Sequence, residues 1–153
     1  MAEMSVTVAV SLPGLRRYQS DIKPNLQVVY TQWAVRYRSF IQRRFDRYSK
    51  GSGDWAPLKI RKGSILRDTN TLFTALAPSI TPPEGSINTF LPDGIEVGFG
   101  GPASHPGGPT IHQIAVWHQS GAGNYPAREM IVAPDDQTVK GMVSDMQRAM
   151  TPK

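Results

Sequence analysis

Residues 111–132 read IHQIAVWHQSGAGNYPAREMIV, and the rest of the chain is organised around them. Ile111, Ile114, Ala115 and His118 recur at helical spacing, and the run stops at Ser120-Gly121. Glycine just past the last periodic residue ends a helix, because it enters the left-handed region without a Cβ penalty. A turn is expected over residues 121–126, led out by Pro126. Met130, Ile131 and Val132 are β-rich and are expected to form a return strand. Helix, glycine stop, turn and strand make one compact supersecondary unit.

Downstream, Asp135 follows Pro134 and caps a final helix with apolar positions Val139, Met142, Val143, Met146 and Met150. Asp135 and Asp136 open that helix and Arg148 lies near its end, the order its dipole favours. Upstream, residues 100–110 are rich in glycine and proline and are expected to be a mobile loop. Residues 87–91 and 95–99 flank Pro92-Asp93-Gly94. An Asp-Gly pair between two β-rich runs signals a hairpin, with Gly94 tolerating positive φ. Ser79, Ile80 and Thr81 are expected to form a brief strand. Asp68, Thr69 and Asn70 offer caps for a short helix over 71–77 that buries Leu72, Phe73 and Leu76.

From Leu15 the apolar residues recur at helical spacing through Tyr18, Ile22, Leu26, Tyr30, Trp33, Tyr37, Phe40, Ile41, Phe45 and Tyr48. This pattern predicts one long helix. Pro24 either kinks it or starts its main segment. Its other face carries Arg36, Arg43 and Arg47, at spacings of seven and four, while Arg44 lies nearer the apolar side and is expected in a salt bridge. Residues 5–10 alternate Val6, Val8 and Val10 with Ser5, Thr7 and Ala9, the pattern of a half-buried strand. The expected fold is α+β: a small antiparallel sheet flanked by a long N-terminal helix, a short middle helix and a C-terminal helix. One domain covers residues 1–153.

Composition narrows the function. At 39% hydrophobic and 19% charged, the 153 residues can bury a core. No apolar run approaches the ~18 residues of a membrane span. The N-terminus has no basic lead, so no signal peptide is expected. With no cysteine, disulfides, thiolate metal sites and cysteine nucleophiles are excluded, which fits an intracellular protein or one whose working assembly is held together without covalent staples. The net charge of +5 is uneven: +8 over residues 36–67, −4 over residues 68–153 and +1 before them. Such asymmetry suits nucleic acid, or head-to-tail contact between copies of the chain.

Constellations for chemistry are weak. His112 and His118 are six apart, about 240° round a helix, so they diverge rather than share a metal. His118 is expected to be a hydrogen-bonded residue of a core or interface. Gly98-Phe99-Gly100-Gly101 follows a β-rich run, but Pro102, Pro106 and Pro109 occupy the place of a phosphate-binding helix start. No serine stands in a nucleophile-elbow context. No catalytic residue, cofactor site or metal site is assigned. The basic segment 36–67 leaves open a nucleic-acid-binding module, with Trp33, Tyr37, Phe40 and Phe45 as stacking candidates. Their spacing is that of a core, which is the more frequent use.

Several pieces, taken in order, resemble the tail-completion or virion-morphogenesis proteins of tailed bacteriophages, the Mu-type, tail-terminator-like family. They are the long amphipathic helix, Trp55-Ala56-Pro57-Leu58, Ile65-Leu66-Arg67-Asp68-Thr69 leading to Leu72, and Asp93-Gly94-Ile95-Glu96-Val97-Gly98. Ala115-Val116-Trp117-His118-Gln119-Ser120-Gly121, Pro126-Ala127-Arg128-Glu129-Met130 and the closing helix follow. Where the family has glycine after its Asp-Thr pair, this chain has Asn70, which also tolerates the left-handed region. The resemblance implies a non-enzymatic structural protein of the virion, assembled in the host cytoplasm and acting as a ring of about six copies at the head–tail junction, or neck. Implied partners are further copies, neck or connector proteins, tail tube or sheath proteins, and DNA passing through the channel. Trp55, Trp117, His118, Gln119 and Arg128 are the interface or structural candidates. His118, Gln119 and Arg128 are expected to position the helix–turn–strand unit, unless Arg128 crosses to a neighbour's acid.

Overall fold

The computed structural model describes residues 4–9, 19–58, 70–105, 108–122 and 125–150, with side chains from residue 26 onward. Strand β1 (Met4–Ala9) precedes the long helix α1 (Gln19–Ser49). A short helix α2 (Thr71–Ala75) leads to the hairpin β2 (Ser86–Leu91) and β3 (Gly94–Phe99). Helices α3 (Ile111–Ser120) and α4 (Asp136–Met150) complete the chain. The fold is α+β, as the patterning predicts.

The sheet is antiparallel in the order β1-β3-β2, so the later hairpin strand lies in the middle. The register pairs Val8 and Phe90 with Ile95, and Val6 and Asn88 with Val97. Ile95, Val97 and Phe99 are buried. The other row of β3 is Gly94, Glu96 and Gly98, so the apolar side chains of β3 all lie on one face.

Helix α1 covers the apolar face. Its buried residues Leu26, Val29, Tyr30, Trp33, Ala34, Tyr37, Ile41 and Phe45 follow the predicted stripe. Each large side chain buried there stabilises by about 1.5–3 kcal/mol. Leu15 and Tyr18 lie outside the described residues. The helix already begins at Gln19, so Pro24 is not its start.

Helix α4 packs on the same side, running back along α1. The Trp33 indole donates to the Met142 carbonyl at 2.9 Å, and the Tyr37 hydroxyl donates to Val132 O at 2.8 Å. Met142 and Met146 are buried as predicted, but Val139 and Met150 are exposed. The buried stripe of α4 is narrower than its apolar one because α1 supplies a single contact seam, and Thr138 fills the turn between. Asp135 caps α4 by accepting from the Thr138 backbone N–H at 2.8 Å.

Several local expectations change. Residues 79–81 form no strand, and Ile80 stands 69% exposed. Helix α2 is one turn long, ending at Ala75, although Leu76 is still buried. Asn70 takes φ 58°, the left-handed conformation that asparagine tolerates, and its side chain makes no cap. Asp68 and Thr69 lie outside the described residues. The hairpin falls where Pro92-Asp93 predicts, but Gly94 pairs with Leu91 inside the ladder and has no positive φ. Proline sets the bend there instead.

The described part of the loop 100–110 is tied back on itself. His105 N donates to Pro109 O at 2.8 Å, Ser104 bridges to Thr110, and Ile111 N donates to Ala103 O at 3.0 Å.

Candidate functional site

Thr110 opens α3 with a capping box: its hydroxyl accepts from Gln113 N, and the Gln113 side chain accepts from Thr110 N. Gly121 closes the helix at φ 72°. A Cβ at that position would lie 2.9 Å from Ala127 N, so glycine is required twice over, by dihedral and by space.

The chain then returns beside α3, but residues 130–132 join no sheet. Gln119 takes the place of a neighbouring strand. Its Oε1 accepts from Met130 N at 2.8 Å and Ile131 N at 3.0 Å, while its Nε2 donates to Ile131 O at 2.8 Å. One amide thus satisfies three backbone groups of a β-rich run that has no strand partner.

Arg128 is the second tie. Its N–H donates to His118 O at 2.6 Å, and its Nε and Nη2 both donate to Ala56 O, at 3.1 and 3.0 Å. The residue is 5% exposed and its guanidinium turns into its own subunit. Trp55 joins the same knot. Its indole donates to Glu129 O at 3.2 Å, and its ring meets Phe45 and Tyr48 edge-on. Residues 55–58, the end of α1 and the segment after α3 are therefore held together by side chain–backbone bonds.

His118 is buried against this knot, as its place on the apolar run predicts, but its Nδ1 has no hydrogen-bond partner. Burial, with the Arg128 charge added, pushes the ring's pKa down to about 4. Its ring meets Tyr125 edge-on, and Tyr125 stacks parallel on Trp117 with centroids 5.7 Å apart. His112 instead faces Phe99 O at 3.3 Å, so the two histidines diverge. Among the described residues, no group of histidine and acids could hold a metal, and no helix is long and apolar enough to cross a membrane.

The basic face of α1 divides. Arg36 pairs bidentately with Asp145 on α4, Nε to Oδ2 at 2.5 Å and Nη2 to Oδ1 at 2.9 Å, and Arg148 joins the same carboxylate. The hydrogen bond from Arg36 holds the Asp145 carboxyl below its ordinary range. The guanidinium crosses α4 at Gly141, where a Cβ would lie 2.8 Å from Nη1. Arg43 and Arg47 remain exposed, with no ion pair among the described residues. Arg44 makes no salt bridge among the described residues. It donates to Glu129 O and lies 4.4 Å over the Tyr48 ring, because a backbone carbonyl and an aromatic face are what this seam offers. Trp33, Tyr37 and Phe45 are buried, which removes them as surfaces for stacking bases.

Arg38 is the residue that charge patterning misses. It is fully buried between α1 and β2, where its Nη2 donates to Ser86 Oγ at 2.5 Å, Asn88 Oδ1 at 2.7 Å and Ile87 O at 3.2 Å. Its Nε and Nη1 have no partner, and burial pushes its pKa down to about 10. The only signal in the sequence is its position, one residue after Tyr37 on the apolar side.

Against known proteins, no family model matches the chain, and no curated protein or solved structure does either.

Proposed function

We propose that this chain is a structural subunit that completes or caps a phage tail and joins it to the DNA-filled head, working as a closed ring of copies at the neck. The observation that carries the reading is the charge left unmatched on the surface of one subunit. Arg43 and Arg47 are exposed without ion pairs, and so are Glu84, Asp93, Glu129 and Asp136, among the described residues. Opposite charges on different parts of one surface favour a heterologous contact, and such contacts close into rings when the rotation allows. The order of the motifs from the long helix to the closing helix points to the tail junction as the place of assembly.

The side chains that would first be suspected of chemistry have structural partners in this reading. Arg128 holds Ala56, Gln119 holds residues 130 and 131, and the His118 ring is buried. The test is light scattering coupled to size exclusion, with negative-stain imaging, at low and moderate salt. A discrete closed ring of about six copies is the expected outcome. A monomer that binds DNA with a steep salt dependence would replace this reading with a nucleic-acid-binding module that uses the basic segment.

A further inference from the structure

We infer that the β2–β3 hairpin tip of one copy, carrying Asp93, docks on the exposed Arg43–Arg47 shoulder of α1 in the next copy. This inference rests on the ring reading above and names its contact.

The two surfaces lie toward opposite ends of α1. Asp93 is close enough to Tyr30 to add to the effect of burial on that hydroxyl, which places the hairpin tip near the start of the core-facing stripe. Arg47 lies in the last turn of the helix. At ~1.5 Å per residue, the rise from Tyr30 to Arg47 is about 25 Å, so one subunit cannot join its own tip to its own shoulder. A second copy can.

The shoulder has the chemistry to receive a carboxylate. Arg43 and Arg47 are one turn apart on one face, and Arg36 on that face already holds a carboxylate bidentately. The Arg47 guanidinium lies 5.6 Å over the Tyr48 ring, which limits the freedom it must lose on pairing. The tip has the complementary features. Asp93 is exposed without an ion pair among the described residues, Pro92 stiffens the bend, and Phe90 beside it is 48% exposed on an edge strand. Strand β3 is buried along most of its length, so the tip is presented rigidly.

Of the aromatic residues along α1, Trp33, Tyr37 and Phe45 are buried in the core and cannot stack on bases.

Charge reversal of the full chain tests the contact. Asp93→Lys alone, or Arg43→Glu with Arg47→Glu, is expected to reduce the ring to single subunits, read as mass by light scattering. Mixing the two variants one to one is expected to restore rings, because every tip then meets a shoulder of opposite sign. Restoration on mixing also shows that both variants are folded. Rings that persist in either variant, or no recovery in the mixture, would place the contact elsewhere and leave the ring reading standing. Intact rings with DNA binding lost in the Arg43, Arg47 variant would make the shoulder a nucleic-acid surface. If the unaltered chain forms no ring at any salt, the ring reading fails and this contact fails with it.

Discussion

Arg38 shows how a buried charge can be tolerated without being favourable. Its guanidinium has three acceptors, all on Nη2, and no carboxylate among the described residues. Removing one partner of a buried charge costs more than replacing the charge itself. Asn88→Leu is therefore expected to destabilise by about 2–3 kcal/mol. Arg38→Met, which fills the same space without charge, should be neutral or stabilising. Urea unfolding of the two variants decides, and a larger loss in Arg38→Met would refute the account. His118 makes a second prediction at this scale. Its folded pKa, about 4, lies below the ordinary 6.5 because burial and Arg128 disfavour the charged ring. The unfolded chain therefore takes up the proton first. Stability is fully present above about pH 6.5 and drains as pH falls toward 4, by up to about 3 kcal/mol. Thermal unfolding across that window should fall for the native chain and stay flatter for His118→Gln.

At the scale of elements, α3 and the segment after it depend on their junctions more than on their length. The helix has ten residues and is marginal alone, so the capping box at Thr110 and the glycine at 121 decide its ends. Gly121→Ala combines a left-handed φ with a Cβ 2.9 Å from Ala127 N. A loss of about 2 kcal/mol or more is expected from strain and displacement together. Because the Ala127 backbone must move, the Gln119 bonds to residues 130 and 131 should loosen with it, visible as faster amide exchange at Met130 and Ile131. Unchanged exchange there would show that the two junctions are independent. The β-rich composition of 130–132 predicts a return strand, but the segment lies outside the sheet. Propensity describes the local backbone and says nothing of which partner satisfies it. Here that partner is a side chain eleven residues earlier.

At the scale of the whole molecule, the electrostatic asymmetry of the sequence survives only in part. Arg36 is consumed by Asp145, Arg38 is buried and Arg44 is turned onto Glu129 O, which leaves Arg43 and Arg47 as the exposed arginines of α1 with no ion pair among the described residues. Contacts built on such exposed charges are screened over about 10 Å at 0.1 M salt. Ring mass should therefore fall as salt rises, more steeply than for an apolar interface. A ring equally stable in 1 M salt would assign assembly to buried apolar surface instead.

The long helix, the hairpin, the glycine stop and the capped final helix were determined by the sequence alone, because periodicity, caps and turn residues act on neighbours along the chain. The α+β class followed from their order. The tertiary structure alone decided that β3 is the central strand, that Gln119 substitutes for a strand partner, and that Arg128 turns inward to Ala56. It alone decided which arginines stay at the surface. These outcomes depend on groups far apart in the sequence meeting at hydrogen-bonding distance, and no local pattern encodes that meeting.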